Sequence, residues 1–120
     1  MGVGMPEHLK LNEFGHLIWA AFGAPPYHVG SSLTEKAGWR DVDVRLILSD
    51  DVYAEMGLGD PLYPMESEKW ISLVLAYTAL GRTITGLPID FQIQQQTLAN
   101  KQYDAPRSAL GLVPHRMKRT

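Results

Sequence analysis

One short segment restricts the fold of this chain more than any other. Residues 41–48 read Asp-Val-Asp-Val-Arg-Leu-Ile-Leu, so polar and apolar side chains alternate over most of the segment. Residues i and i+2 of a β-strand lie on the same face. The pattern therefore predicts a strand with Asp41, Asp43 and Arg45 on one face. The opposite face is predicted to be apolar and to consist of Val42, Val44, Leu46 and Leu48.

A second alternating segment, residues 87–94, predicts another strand. Asp90, Gln92 and Gln94 form its polar face, and isoleucines and a phenylalanine form its apolar face. If the two strands are neighbours, Asp90 lies close to the two acids of the first strand.

Two longer segments have apolar residues at helical spacing and predict helices over Glu7–Phe22 and Glu66–Leu80, with Gly81 after the second. The shorter predicted elements are a strand at 27–29 and helices at 32–37, 50–56 and 95–102. This order predicts an α/β fold, α+β in stricter terms. We expect a small mixed sheet that carries both long helices on its apolar face.

Composition limits the class of protein. The chain has 120 residues, no cysteine and a formal net charge of −2, with 45% hydrophobic and 20% charged residues. These values are typical of a globular protein with one core, and they exclude disulfides and thiolate metal sites. No apolar run approaches the ~20 residues of a membrane span, and the start of the chain lacks a secretion signal. We therefore expect a cytoplasmic protein with no membrane partner.

The last twenty residues differ in composition from the rest. They hold five of the eleven basic residues and one acid. We expect a domain at 1–100 and a basic arm at 101–120. The arm also holds four large apolar residues within eight positions, which would be prone to aggregation if all were exposed. Part of Ala109–Met117 is therefore predicted to dock on its own domain or on a neighbouring molecule.

The negative charges of the paired acids in the first strand, Asp41 and Asp43, must be compensated if the strand is buried. Two adjacent carboxylates repel each other, and burying them alone costs several kcal/mol. Either a salt-bridge network or a divalent cation can compensate them. We favour a cation, because hard oxygen ligands suit Mg²⁺ that is shared with substrate phosphates. Arg45 is expected to pair with Asp90 or to contact a phosphate.

Gly30 and Ser31 precede these acids by about ten residues. Taken alone, they indicate a strand-to-helix turn in which Ser31 or Ser32 caps the helix. The same geometry lets a phosphate approach the backbone, because glycine has no side chain there.

In order and spacing, these residues resemble the nucleotidyltransferase superfamily of the polymerase-beta type. The resemblance covers residues 27–94 and consists of the Gly30-Ser31 pair, the Asp41-x-Asp43 motif and an Asp90 flanked by apolar residues. It implies a minimal nucleotidyltransferase-like domain. The site residues that it implies are Asp41, Asp43 and Asp90 as catalytic residues and ligands of two Mg²⁺ ions, and Gly30, Ser31, Lys36 and Arg40 as nucleotide-binding residues.

The resemblance implies transfer of a nucleoside monophosphate from a nucleoside triphosphate to an acceptor hydroxyl of RNA, a protein or a small molecule. Asp90 would help to deprotonate this hydroxyl. The alternative is an inactive binding module that acts through a protein partner, for example as an antitoxin. The alternative is favoured by the short chain and by the absence of a small residue and an arginine shortly after the Gly-Ser pair. A homo-oligomer is compatible with either function. A third class, a small nucleic-acid-binding protein that acts through its basic arm, is disfavoured by the net charge of −2.

Overall fold

The computed structural model describes residues 3–34, 40–102 and 106–111. The elements in chain order are α1 (Met5–Phe22), β1 (Pro26–Val29), α2 (Ser31–Thr34), β2 (Val42–Leu48), α3 (Asp50–Glu55), a 3₁₀ turn (Pro64–Glu66), α4 (Glu68–Thr85), β3 (Ile89–Gln95), α5 (Gln96–Gln102) and β4 (Ser108–Ala109). The predicted α+β class is confirmed.

Within the described residues, four strands form one mixed sheet in the order β3-β2-β1-β4. β1 runs antiparallel to β2 and to β4, whereas β2 and β3 run parallel to each other. A parallel pair needs a long crossover connection. Here the connection contains α3, the 3₁₀ turn and α4.

The core lies on one face of the sheet, beneath α1 and α4. The alternating valines and leucines of β2 are buried there, as the sequence predicts. Phe91 of β3 packs with its ring centroid 6.3 Å from that of Phe14 in α1 and 5.8 Å from that of Tyr77 in α4. The apolar half of each alternating strand is therefore fixed against the helices, which leaves the polar half on the other face.

Helix α4 extends five residues beyond Leu80, where it was predicted to end. A β-carbon on Gly81 would lie 2.8 Å from two ring carbons of Phe14. The glycine is therefore needed for close packing of α4 against α1, and it does not end the helix. The helix ends instead at Gly86, whose φ of 71° is the left-handed conformation that glycine adopts at helix ends.

The sheet also includes residues beyond position 100. β4 pairs with β1, and the Leu110 backbone N–H donates to the Pro26 carbonyl oxygen at 2.9 Å. The Leu110 side chain is buried in the core cluster. The predicted docking of the arm is confirmed for residues 109–111, which dock on their own domain; residues 112–117 lie outside the described part of the chain.

Across the described ranges, no helix combines the length and the apolar character that crossing a membrane requires.

Candidate functional site

Two acids meet on the open face of the sheet. Asp43 in β2 and Asp90 in β3 are paired in the parallel register, so their side chains are neighbours. Their side chains are 27% and 39% exposed. The alternation of the two strands predicts this shared face. Their direct apposition depends on the pairing of strands that are distant in sequence.

Arg45 lies between these two acids. One guanidinium nitrogen, Nη2, is 3.7 Å from Asp43 Oδ1 and 3.5 Å from Asp90 Oδ2. The other, Nη1, donates to the backbone oxygens of Asp90 at 2.6 Å and Val44 at 3.2 Å. Arg45 is only 8% exposed. The expected Arg45–Asp90 pair is therefore present, and the chain itself forms a salt-bridge network at this position.

Arg45 does not fully compensate the site. Burial raises the pKa of the Asp43 carboxyl, Arg45 acts to lower this pKa, and the negative charges of Asp90 and Asp41 raise it further. The net direction is upward. The surroundings of Asp43 therefore disfavour its negative charge, and an additional cation would relieve this.

Asp41 lies two residues before Asp43 in the chain and is exposed. The first paired residue of β2 is Val42, whose N–H donates to the Pro88 carbonyl oxygen at 2.9 Å, so Asp41 precedes the strand. Its charge reaches Asp43, but the described residues contain no group of three or more acids or histidines arranged to hold a metal ion. The structure thus brings Asp43 and Asp90 together and leaves Asp41 at the edge.

The Gly-Ser turn lies directly against Asp43. Val29, the residue before the turn, pairs with Asp43 in the antiparallel register of β1 and β2. Gly30 has a φ of +80°, and a β-carbon at this position would collide with Asp43 Oδ2. Both its conformation and its close contact therefore require glycine. This contact brings the backbone of the turn next to the acids.

The structure describes two of the other three predicted nucleotide-binding residues. Ser31 is partly exposed at the start of α2, and Arg40 is exposed just before Asp41. Lys36 lies outside the described residues.

A buried polar pair beneath the turn was not predicted from the sequence. His28 Nε2 lies 2.7 Å from Ser32 Oγ, and both residues are 0% exposed. Among the described residues, His28 Nδ1 has no hydrogen-bond partner. Burial lowers the pKa of His28 to about 4, with a smaller contribution from His8. The pair joins β1 to α2 and so holds the Gly-Ser turn in place.

The sequence signal for this pair is weak. His28 lies on the same buried face of β1 as Pro26, and Ser32 follows His28 by four residues. The short strand and the intervening turn do not indicate that both side chains turn inward.

Comparisons with models of protein families, with curated proteins and with solved structures find no match to this chain. A function must therefore be inferred from the residues and geometry of the site.

Proposed function

We propose that this protein transfers a nucleoside monophosphate from a nucleoside triphosphate to an acceptor hydroxyl, in a reaction that depends on Mg²⁺. The observation that supports this best is the apposition of Asp43 and Asp90 on parallel strands, with the backbone of Gly30 against Asp43. Two acids held beside a turn that carries a partly exposed serine suit the handling of a metal–triphosphate substrate.

The acids have the chemistry that Mg²⁺ requires. Carboxylate oxygens are its usual protein ligands, and the raised pKa of Asp43 indicates a site that gains from an added positive charge. Asp43 and Asp90, which lie side by side, would supply the main ligands of the proposed two ions, and Asp41 would contribute from its position one residue before β2. When bound, Mg²⁺ neutralises phosphate charge and stabilises the attacking and leaving oxygens.

The protein's own groups would then have separate roles. The Gly30-Ser31 turn, with its partly exposed Ser31, would bind the triphosphate beside Asp43, and the exposed Arg40, together with Lys36, would supply positive charge for the triphosphate. Asp90 would accept the proton of the acceptor hydroxyl as its oxygen attacks the α-phosphorus. The bond from this phosphorus to the bridging oxygen breaks, and pyrophosphate leaves.

Arg45 would position Asp90 in this scheme. Its hydrogen bond to the Asp90 backbone oxygen and its contact with the carboxylate hold this residue from two directions. Its positive charge also keeps Asp43 and Asp90 together before any substrate binds.

The test is incubation with each labelled nucleoside triphosphate and Mg²⁺, with RNA, the protein itself and a small-molecule extract as acceptors. We expect label transfer that falls by about 10²-fold or more in Asp90→Asn, because proton transfer typically contributes that much. Asp51→Asn is the matched control, since Asp51 is exposed on α3. If the wild type shows no label transfer and no Mg²⁺-dependent binding of any triphosphate, the proposal is disproved.

One observation favours the alternative, a module that acts through a protein contact. Helix α4 has an exposed stripe at positions i, i+4, i+7, i+11 and i+14, which consists of Glu68, Ser72, Leu75, Ala79 and Arg82. Leu75 at its centre is 65% exposed, and residues 70–81 include no charged residue. A surface helix usually carries charges along its outer face, so the uncharged centre of this stripe, with charges only at its two ends, indicates a contact surface.

The stripe suits a second copy of this chain. Antiparallel pairing of two α4 helices about Leu75 would place Glu68 of each copy beside Arg82 of the other, and the small side chains of Ser72 and Ala79 would allow close approach. Sedimentation should show a dimer that Leu75→Glu dissociates. A monomeric wild type would exclude this pairing, and transfer of label by the wild type would exclude an inactive module.

A further inference from the structure

A pocket adjoins the proposed active site at the carboxyl-terminal half of β3. Part of its wall is apolar and comes from Leu62 and Leu98. Four glutamines also line it: Gln92, Gln94, Gln95 and Gln102. Mixed apolar walls with a few polar groups are typical of sites for small organic ligands.

The pocket continues from the acids. Gln92 and Gln94 follow Asp90 at i+2 and i+4, so they lie on the same face of β3. With a rise of ~3.3 Å per residue, Gln92 is about 7 Å from Asp90 along the strand. Gln92 also lines a second groove that includes Asp90. A ligand whose phosphates lie at Asp43 and Asp90 could therefore extend into the pocket.

The polar groups of the pocket are uncharged. Among the described residues, none that lines the pocket is acidic or basic. The indole N–H of Trp70, which is also part of the wall, is engaged with the Ile93 carbonyl oxygen at 2.8 Å. The amides of the four glutamines make no hydrogen bond with protein groups of the described residues, so they remain available to a ligand.

The amide group selects among nucleobases. It presents a donor and an acceptor side by side, which matches the N6 amino group and N7 of adenine. Guanine is usually read by arginine or lysine, and cytosine by a carboxylate. The pocket contains neither kind of side chain, so its chemistry favours adenine.

We propose that the glutamine pocket binds the adenine base of the nucleoside triphosphate and so gives this protein a preference for ATP. The inference rests on the proposed function, because the phosphates of the nucleotide must lie at Asp43 and Asp90. It adds the identity of the base, which neither the acids nor the Gly-Ser turn specifies.

The test is calorimetric titration of the full chain with ATP, GTP, CTP, UTP and inorganic tripolyphosphate, each in the presence of Mg²⁺. We expect ATP to bind about tenfold or more tightly than GTP and CTP, which is the usual discrimination of one well-placed amide. Gln94→Leu and Gln102→Leu should remove most of this preference and leave tripolyphosphate binding unchanged. Gln102 is exposed on α5, so its replacement leaves the core intact.

Gln96→Leu is the matched control, because Gln96 is exposed and lies outside the pocket. Equal affinity for the four triphosphates would overturn the adenine inference and leave the proposed function standing. An ATP preference that survives both pocket variants would also overturn it. Absence of Mg²⁺-dependent binding of any triphosphate would overturn the inference together with the proposed function.

Discussion

The two faces of β2 and β3 contrast within the same fourteen residues. On the helix-covered face, valine, leucine, isoleucine and phenylalanine are fully or almost fully buried. On the open face, Asp43, Asp90 and Gln92 are partly exposed, and Arg45 is buried between the two acids. The helices fix the strands from one side, and the other side is thereby free to hold charges close together. Stability should therefore depend mainly on the first face, and function on the second.

The largest difference is expected between Phe91→Ala and Gln92→Ala, which are adjacent in β3 and lie on opposite faces. Phe91→Ala leaves a cavity against the rings of Phe14 and Tyr77 and should lower the free energy of unfolding by about 3–5 kcal/mol. Gln92→Ala should change it by less than about 0.5 kcal/mol. Urea denaturation measures both, and similar losses would contradict the contrast between the faces.

The helix-covered face should tolerate its buried histidine only in the neutral form. The pKa of His28 is about 4 in the folded protein and returns to about 6.5 on unfolding. On acidification, His28 takes up a proton in the unfolded chain before it does so in the folded protein. The folded state therefore loses free energy of unfolding as the pH falls from 6.5 to 4. The loss should be on the order of 2–3 kcal/mol. Urea denaturation at several pH values measures this loss. If the free energy of unfolding of His28→Leu falls with pH as steeply as that of the wild type, the prediction is contradicted.

On the open face, we expect the positive charge of Arg45 to contribute to stability, and we expect bound Mg²⁺ to substitute for this charge. Arg45→Met leaves Asp43 and Asp90 without their counter-ion and should lower the free energy of unfolding by about 1–2 kcal/mol, between the values typical of exposed and buried pairs. Mg²⁺ should raise the melting temperature of this variant more than that of the wild type. Arg40→Met is the control, because Arg40 is exposed. Equal Mg²⁺ effects on all three proteins would argue against a cation site.

The smallest effect is expected for Asp43→Asn. Because the pKa of Asp43 is raised in the folded protein, its contribution to stability is present at low pH and is lost as the pH rises through that pKa. Asparagine removes the charge, so the variant should be more stable than the wild type at neutral pH, and this gain should shrink at acidic pH. Melting curves of both proteins at pH 4 and 7 measure this difference in stability. If the advantage of Asp43→Asn over the wild type is larger at pH 4 than at pH 7, the prediction is contradicted.

The prediction of the fold succeeded where the pattern was local. The alternation in 41–48 and 87–94 and the apolar stripes of the long helices predicted the main strands and helices, with errors of up to five residues at their ends. Gly81 was misread as a helix end because the space beside Phe14 that requires a glycine is not visible in the sequence. The pairing of β4 with β1 joins residues about 80 positions apart, and no local pattern specifies it.

The site divides in the same way. The alternation of polar and apolar residues in two strands predicted that Asp43 and Asp90 share a face. The expected ion pair between Arg45 and Asp90 is also present. Asp41 was placed with them because the strand was expected to begin one residue earlier. The His28–Ser32 pair was missed, since it depends on the direction in which a short turn closes.

By itself, the sequence determined which face of β2 and β3 each side chain lies on and which side of the long helices is apolar, because this depends on periodicity along one strand or helix. The tertiary structure decided which of these side chains meet. It set the register that places Asp43 beside Asp90, brought Gly30 against Asp43 and put Arg45 between the two acids. These contacts join separate segments, and their geometry follows from the packing of α1 and α4 on the sheet, where the strands gain most of their buried apolar surface.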